Sequence, residues 1–199
     1  MNTLLKSFQL TTLGACLTLA LSAGVLSTTA SAAEQSSNKT TAKSSEVRAA
    51  QASKITLKKA INIASKKASG TLVSAEFDDD DDKAKGGVYE IEFNTDTHNH
   101  EIKVDALTGK VIGTETERLD SGDIADFKTQ KQAKINITKA MSIAEKNTNG
   151  RVMEIEFKND RDYADHTSYY EVEVLKSNQI IELNVDANSG SVFNRVVKK

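Results

Sequence analysis

Carboxylates at every second position are the residues of this chain whose spacing bears most directly on chemistry. Residues that alternate with period two share one face of a β-strand. The acidic residues placed on such a face are Glu76, Glu90, Glu92, Glu101, Asp105, Glu154, Glu156, Glu171, Glu173, Glu182 and Asp186. Lys103 is the clearest cation among them. Because like charges on neighbouring strands are destabilising, one interpretation of this pattern is a docking surface for a basic partner or for cations. The alternative is a solvated face that keeps the protein soluble.

An acidic run is a candidate for binding calcium. It consists of Asp78, Asp79, Asp80, Asp81 and Asp82. Carboxylate oxygens are ligands that Ca²⁺ accepts, but the run lacks the spacing of an EF-hand loop. A solvated loop is therefore the main interpretation, and weak binding of a divalent cation is the alternative.

Two histidines are candidates for a transition metal. His98 and His100 are spaced i, i+2 with Asp96 nearby, so in a strand they would share a face and could hold Zn²⁺ or Cu²⁺. They lie where a hairpin is expected to turn, and Gln179 and Ile181 occupy the corresponding positions of a second copy of the motif. A polar turn is the main interpretation here.

Catalysis is not favoured by the remaining residues. No serine lies in a nucleophile-elbow motif, His166 lies in a charged loop, and the only cysteine is Cys16. The paired carboxylates lie on an open sheet, where we expect nothing to exclude water or to raise a pKa. The sequence therefore predicts neither an enzyme nor a cofactor.

The elements that carry these residues occur twice. Residues 54–77 and 134–157 align without a gap at an offset of 80 residues, and ten of the 24 positions are identical. Tyr89-Glu90-Ile91-Glu92 matches Tyr170-Glu171-Val172-Glu173 at an offset of 81. Such a duplication favours a tandem binding module over an enzyme. Repeats of this size are marginally stable alone, so we expect them to pack together or to join their sheets edge to edge.

Each repeat begins with a helix and continues as four strands. Leu57, Ala60, Ile61, Ala64 and Ala68 form one apolar helical stripe, as do Ile137, Ala140, Met141 and Ala144. Alternation then predicts strands that place Val73, Ala75 and Phe77, and likewise Met153, Ile155 and Phe157, on one face. The predicted fold class is α+β, with one helix packed on a four-stranded antiparallel sheet in each of two tandem repeats.

The boundaries of the helices follow from capping residues. Thr56 and Asn136 precede the two stripes and can accept hydrogen bonds from free N–H groups of a first turn. Gly70 and Gly150 follow the stripes, where a left-handed residue ends a helix. We therefore predict these four residues as helix caps.

The first residues have the pattern of a secretory signal peptide. Lys6 is followed by an apolar stretch from Leu13 to Leu26 and by the small residues Ala30-Ser31-Ala32. We predict a signal peptide over 1–32, a periplasmic or secreted protein, and no membrane span after cleavage. The alternative is a lipoprotein anchored through Cys16, although the best apolar run follows that cysteine instead of preceding it.

The segments between these units are polar. Residues 33–53 are rich in Ser, Thr, Ala, Gln and Lys, and predict a disordered linker. Residues 119–133 predict a second linker, which Ile124 and Phe127 could partly order. The domains are then repeat 1 over 54–118 and repeat 2 over 134–199. The net charge of −2 gives no indication of nucleic-acid binding.

The order of these motifs resembles the PepSY domain. The residues that carry the resemblance are Tyr89-Glu90-Ile91-Glu92, Val104-Asp105-Ala106-Leu107-Thr108-Gly109-Lys110-Val111 and their second copies. The resemblance covers 54–118 and 134–199. It implies a non-catalytic domain outside the cytoplasm, of the kind found in the propeptides of metalloproteases. A tandem of two also resembles the architecture of β-lactamase inhibitor proteins, whose joined sheets grip a partner.

From these observations we expect an exported binding module with a protein partner, most plausibly an inhibitor or regulator of a peptidase or of another cell-envelope protein. The acidic strands are the predicted contact surface. A divalent-cation binding protein of the envelope is the alternative. The sequence leaves the partner's identity and the oligomeric state open.

Overall fold

Four helices and eight strands form the part of the chain that the computed structural model describes, residues 45–79 and 86–198. The helices are α1 (45–52), α2 (Leu57–Ala64), α3 (Ser121–Gln130) and α4 (Ile137–Thr148). Repeat 1 contains β1 (Thr71–Asp78), β2 (Val88–Asn94), β3 (His98–Asp105) and β4 (Val111–Arg118). Repeat 2 contains β5 (Arg151–Asn159), β6 (Ser168–Lys176), β7 (Gln179–Asp186) and β8 (Val192–Val197). Among the described residues, no helix has the length and apolar character needed to span a membrane. The predicted signal peptide, with Cys16, lies outside them.

The eight strands form one antiparallel sheet in the order β4-β3-β2-β1-β5-β6-β7-β8. The two repeats join where β1 lies beside β5, and there Ser74 pairs with Glu156 and Ala75 with Ile155. This contact is called the seam below. The predicted α+β class is confirmed, and the sheets do join edge to edge. The prediction of one helix on a separate four-stranded sheet was too simple, because each repeat contributes two helices and four strands to a shared sheet.

The starts of α2 and α4 agree with the predicted caps. Thr56 Oγ1 accepts a hydrogen bond from the Lys59 amide at 3.3 Å, and Asn136 Oδ1 accepts one from the Lys139 amide at 2.9 Å. Each side chain satisfies an N–H group that has no partner within its helix. Thr and Asn at equivalent positions therefore set the starts of equivalent helices.

The ends of these helices differ from the prediction. α2 already ends at Ala64, and the left-handed residue after α4 is Asn149, with φ 56°. Gly150 is required for another reason: a Cβ there would lie 2.6 Å from Cγ1 of Val174. A Cβ at Gly70 would lie 2.8 Å from the carbonyl oxygen of Asn94. Both glycines thus allow a close approach to a neighbouring strand, and the prediction that they cap helices was wrong.

The first strand of each repeat contains a β-bulge at an equivalent position. The pairing of β1 with β2 skips from Leu72 to Ser74, and the pairing of β5 with β6 skips from Val152 to Glu154. An extra residue shifts the alternation of side chains. As a result Leu72, which pairs with Phe93, shares the core face with Ala75. The predicted alternation was therefore wrong at Val73, whereas Ala75 and Phe77 do lie on the core face.

The core lies between the helices and one face of the sheet, and it is continuous across the seam. The helices contribute the buried residues Leu57, Ala60, Ala64, Ile137, Ala140, Met141 and Ala144. The hydroxyl groups of Tyr89 and Tyr170 donate to the carbonyl oxygens of Ile55 and Ile135, at 2.8 and 2.7 Å. These equivalent bonds fix the entry to each helix on its sheet. Above the seam, the ammonium of Lys58 in α2 bonds to the carboxylate of Glu145 in α4.

The first helix of each repeat reaches the other repeat. Gln51 of α1 donates to the carbonyl oxygen of Ser177 and to Oδ1 of Asn178, both at 2.9 Å, in the β6–β7 hairpin. Lys131, which lies 80 residues after Gln51 and follows α3, bonds to Asp96 in the β2–β3 hairpin at 3.0 Å. Each helix therefore contacts the central hairpin of the opposite repeat.

Further hydrogen bonds link the C-terminal ends of α1 and α3 to the opposite repeat. Arg151 at the start of β5 donates to the carbonyl oxygen of Ala50 in α1 and to Oγ of Ser53. Gln130, the counterpart of Ala50, donates to the carbonyl oxygen of Leu72 in β1 at 3.1 Å. The guanidinium lies at the C-terminal end of α1, where a cation is stabilising. The two repeats are thus held together by α1 and α3 as well as by the seam.

These helices change the predicted linkers. The prediction of disorder over 33–53 was wrong for residues 45–52, which form α1, while residues 33–44 lie outside the described residues. Val47 and Ala50 are buried in the core because α1 turns them toward it. The predicted linker over 119–133 contains α3, in which Phe127 is buried. The repeating unit therefore begins one helix earlier than the sequence alignment indicates.

Candidate functional site

The candidate site is the face of the sheet that points away from the helices, called the acidic face below. Phe77 pairs with Tyr89 on the core side of the sheet, so the neighbouring pair Glu76–Glu90 points to the opposite side. The same alternation applies in repeat 2, where Phe157 pairs with Tyr170 and Glu156 with Glu171. The sheet alone therefore positions these carboxylates.

Strand register arranges the acidic face in two rows that cross the seam. From β4 to β8, the first row is Glu115, Glu101, Glu92, Ser74, Glu156, Glu171, Asn184 and Phe193. The second row is Gly113, Lys103, Glu90 and Glu76 in repeat 1 and Glu154, Glu173, Glu182 and Val196 in repeat 2. Its two parts meet where the charge of Glu154 acts on Glu76. Directly opposed side chains on antiparallel strands have Cβ atoms about 5 Å apart. The predicted glutamates of both repeats are thus brought together on one continuous surface.

Carboxylates near the seam have raised pKa values. Burial, together with the charges of Glu154 and Glu90, raises the pKa of Glu76 to about 8. Burial also raises the pKa of Glu92 to about 7, although a hydrogen bond from Asn99 opposes it. The pKa of Glu154 is raised mainly by burial. The expectation that nothing on this face raises a pKa was therefore wrong, because neighbouring side chains shield one another from water.

Three lysines partly neutralise the acidic face. Lys103 bonds to Glu90 and lies 3.6 Å from Glu101. In repeat 2, Lys158 bonds to Glu156, while Lys198 bonds to Glu173 and lies 3.2 Å from Glu182. Glu90 and Glu173 are consequently both buried and paired. The carboxylates most open to a partner are those at the margins, such as Glu115, which is exposed in β4.

Two of the predicted site residues form turns. Oδ1 of Asp105 accepts hydrogen bonds from the amide and hydroxyl groups of Thr108, at 2.6 and 2.7 Å, and these bonds lower the pKa of Asp105. Oδ1 of Asp186 accepts equivalent bonds from Ser189 at 2.7 and 2.8 Å. Oδ2 of Asp186 also lies 2.8 Å from Nδ1 of His166, and the pKa of Asp186 falls to about 2 despite burial. These bonds stabilise the turns before Gly109 and Gly190, which have φ values of 71° and 76°.

The structure describes only some of the predicted metal candidates. Asp78 ends β1, and Asp80, Asp81 and Asp82 lie outside the described residues. His98 and His100 belong to β3, so the turn ends earlier than predicted. Their Nδ1 atoms lie 2.8 Å from Oγ1 of Thr97 and 3.0 Å from Oγ1 of Thr116. Within residues 45–79 and 86–198, no three His, Cys, Asp or Glu side chains are arranged to hold a metal ion.

Sequence reasoning missed several residues of the acidic face. Glu115 pairs with Glu101, and the alternation of Gly113, Glu115 and Glu117 along β4 was a usable signal for it. Tyr163 lies in the β5–β6 loop, and its ring packs against Phe193 with centroids 5.1 Å apart. Nothing in the sequence pattern indicates that contact, because loop residues follow no periodicity.

Comparison with known proteins identifies the family of this chain. The profile of PepSY, described as "Peptidase propeptide and YPEB domain", matches residues 54–115 and 134–195. No curated protein matches the chain. A crystal structure from Clostridium difficile 630, described as that of a "putative lipoprotein", is 27% identical with a TM-score of 0.43. That similarity covers 73% of this chain and 95% of the other. Since the family profile matches both repeats, this chain belongs to the PepSY family, as a tandem of two such domains.

Proposed function

We propose that the protein is an exported, non-enzymatic binding protein that restrains a peptidase or another cell-envelope protein by binding it at the acidic face. The single observation that carries this proposal is the continuity of the two carboxylate rows across both repeats. The rows present a surface wider than either repeat alone. A protein partner with a basic surface fits its size and charge.

The electrostatics of the rows favour binding over a purely structural role. Glu92 is paired with Glu101, and Glu156 with Glu171, so like charges face each other on neighbouring strands. Such pairs are destabilising, whereas Thr or Val at these positions would suit a strand. A basic partner would relieve this repulsion and would be steered to the surface by long-range attraction.

The family supports the choice of partner. PepSY is described through the propeptides of peptidases, and a propeptide contacts the peptidase to which it belongs. For a chain with two such domains, regulation of a peptidase is therefore the function that the family description most directly suggests. The same description supports a binding role over catalysis. We assign the residues that contact the partner to the acidic face.

Export follows from the N-terminal sequence. The positive, apolar and small-residue regions of residues 1–32 are those of a signal peptide. Cleavage near Ala32 would release the protein to the periplasm or the medium. Lipidation at Cys16 is the alternative route and would hold the protein at the envelope.

The proposal is tested by capture from an envelope extract, followed by identification of the captured protein and assay of its peptidase activity. We expect wild-type protein to capture a basic partner and to lower its activity. Changing Glu101, Glu115, Glu156 and Glu171 to Gln should reduce capture at least tenfold. Raising the salt concentration should also reduce capture by wild-type protein, because exposed charges are screened.

A matched control removes four carboxylates elsewhere. Asp96→Asn, Asp126→Asn, Glu145→Gln and Asp165→Asn change the net charge equally and leave the acidic face intact. This control should capture the partner as wild-type protein does. Equal capture by the acidic-face variant and the control would overturn the proposal.

A further inference from the structure

The two repeats differ at one position of the acidic face. In repeat 1 the ammonium of Lys103 lies between Glu90 and Glu101. The offset of 81 residues places Asn184 at the position of Lys103 in repeat 2. The same offset places Glu171 and Glu182 at the positions of the two glutamates. Repeat 2 therefore retains both carboxylates of this ion-pair site, but an asparagine replaces the lysine that lies between them in repeat 1.

Asn184 is left without hydrogen bonds. Its side chain is 0% exposed, and neither Oδ1 nor Nδ2 has a partner among the described residues. A buried amide in this state is unusual and costs about 1–3 kcal/mol. The fold alone does not explain it, because Lys or an apolar residue would avoid the cost.

The neighbouring carboxylate also has no direct partner. Glu171 is paired with Asn184 in the strand register, and the described part of the chain offers it no ion pair or hydrogen bond. Lys158 acts on Glu171 only through space, since the ammonium of Lys158 is bonded to Glu156. Glu182, by contrast, lies 3.2 Å from Lys198. Glu171 is thus the carboxylate that remains for an external cation.

An aromatic side chain covers this place. Tyr163 packs edge-on against Phe193, which is the strand partner of Asn184. Burial raises the pKa of Tyr163, and the charges of Glu171 and Glu182 raise it further. The Tyr163 hydroxyl is close enough to Asn184 to affect this pKa but does not reach hydrogen-bonding geometry.

The loop that carries Tyr163 is held on the sheet mainly by side-chain contacts. Asn194 donates to the Tyr163 hydroxyl, and His166 stacks on Phe193 with centroids 4.0 Å apart. Nδ1 of His166 bonds to Asp186 at the edge of the acidic face. Arg161, Asp162, Ala164 and Asp165 are exposed. Tyr163 also packs on Tyr169 with centroids 5.3 Å apart, so a partner's side chain must displace this ring from Tyr169 and Phe193 to reach Asn184.

We propose that Glu171, Asn184 and Tyr163 form a site for one basic side chain, a lysine or an arginine, of the protein that binds the acidic face. The inference rests on the proposed function and adds where the partner's cation binds. Glu171 supplies the opposite charge, and Oδ1 of Asn184 accepts an N–H bond. The displaced Tyr163 ring offers a face for a cation–π contact. Lys103 in repeat 1 is the internal example of a cation between the same two carboxylates.

The experiment uses the full mature chain and the probe Nα-acetyl-lysine methylamide at pH 7. Titration followed by NMR should shift the side-chain amide signals of Asn184 and the ring signals of Tyr163 in a saturable way. The same probe acetylated on its ε-nitrogen carries no charge and should leave these signals unchanged. Glu171→Gln should weaken binding of the charged probe at least tenfold.

Asn184→Lys provides the sharpest variant, because it introduces the cation that repeat 1 already contains. This variant should fold, should lose binding of the charged probe, and should capture the partner at least tenfold less well. Asn184→Leu should also weaken binding of the probe while keeping the sheet intact.

The outcomes separate this inference from the proposed function. If the charged probe shifts no signal of Asn184 or Tyr163, or if Asn184→Lys captures the partner as wild-type protein does, the site is overturned. The acidic-face proposal would still stand in that case if its quadruple variant loses capture. If neither variant affects capture, both proposals are wrong.

Discussion

At the seam, burial raises the pKa of Glu76, and the charges of Glu154 in the other repeat and of Glu90 on the neighbouring strand raise it further. The folded state holds the pKa of Glu76 at about 8, against an ordinary value of 4.5. Between these pH values the folded state binds more protons than the unfolded state. The contribution of Glu76 to the free energy of unfolding therefore falls as the pH rises from 4.5 to 8.

This linkage gives a prediction for Glu76→Gln. The amide cannot ionise, so the variant should lose less stability between pH 4.5 and pH 8 than wild-type protein does. The difference between pKa values of about 8 and 4.5 corresponds to at most about 5 kcal/mol at about 1.4 kcal/mol per pKa unit. Because the group is only half titrated at each end of this pH range, we expect a difference on the order of 3–4 kcal/mol. Denaturant unfolding at a series of pH values measures it. Glu117→Gln, at an exposed position of β4, is the control and should retain the wild-type slope.

The same residue type has opposite environments on this sheet, which limits prediction from sequence. Asp105 accepts hydrogen bonds within its turn and has a lowered pKa, whereas half-buried Glu101 has a raised pKa. Both residues follow the same period-two pattern. The pattern predicts the face on which a carboxylate lies, but burial and bonding decide its chemistry, and those depend on residues distant in the sequence.

At the scale of elements, α1 shows why part of the fold was missed. Val47 is the only large apolar residue in residues 33–53, so no stripe is visible there. The helix is stabilised by contacts with repeat 2, in particular the bonds from Arg151 to Ala50 and Ser53. Local propensity carries little information about a helix that is stabilised mainly by tertiary packing.

Arg151→Met should loosen α1 without unfolding the sheet. The methionine retains much of the packing of the side chain but cannot donate to the end of the helix. We expect faster amide hydrogen exchange over residues 47–53 and a stability loss of about 1–2 kcal/mol. The amide hydrogen exchange rates in β6 should increase only by the amount that the loss of global stability explains. Arg161→Met, an exposed change of the same type in the β5–β6 loop, should alter neither quantity; unchanged exchange in Arg151→Met would contradict the role given to α1.

Other elements were predictable where one local rule decides them. Thr56 and Asn136 start helices because each can accept a bond from a first-turn amide. Gly150 was misassigned because Asn149 can adopt the left-handed conformation itself. A glycine after a helix has two explanations, a cap or a close approach, and only the position of the neighbouring strand distinguishes them.

For the whole molecule, the continuous core and the exchanged helices predict a single cooperative unfolding transition. Ile91→Ala in repeat 1 and Val172→Ala in repeat 2 change equivalent, fully buried strand positions. Each should destabilise both repeats together, by about 2–4 kcal/mol for Ile91→Ala and somewhat less for Val172→Ala. Calorimetry should show one transition, and hydrogen exchange should report the loss in the core strands of both repeats. Two separate transitions would show that the repeats fold independently.

The short seam has a mechanical consequence. β2 and β3 are joined by seven residue pairs, whereas β1 and β5 are joined by two, which lie beside the bulges of both strands. The four strands of each repeat thus form a rigid half of the sheet. The two halves meet at the seam, which is more flexible and is bridged by α1 and α3. Flexing along the seam changes the curvature of the surface while each half keeps its register. A single chain could in this way fit its glutamate rows to targets of different convexity.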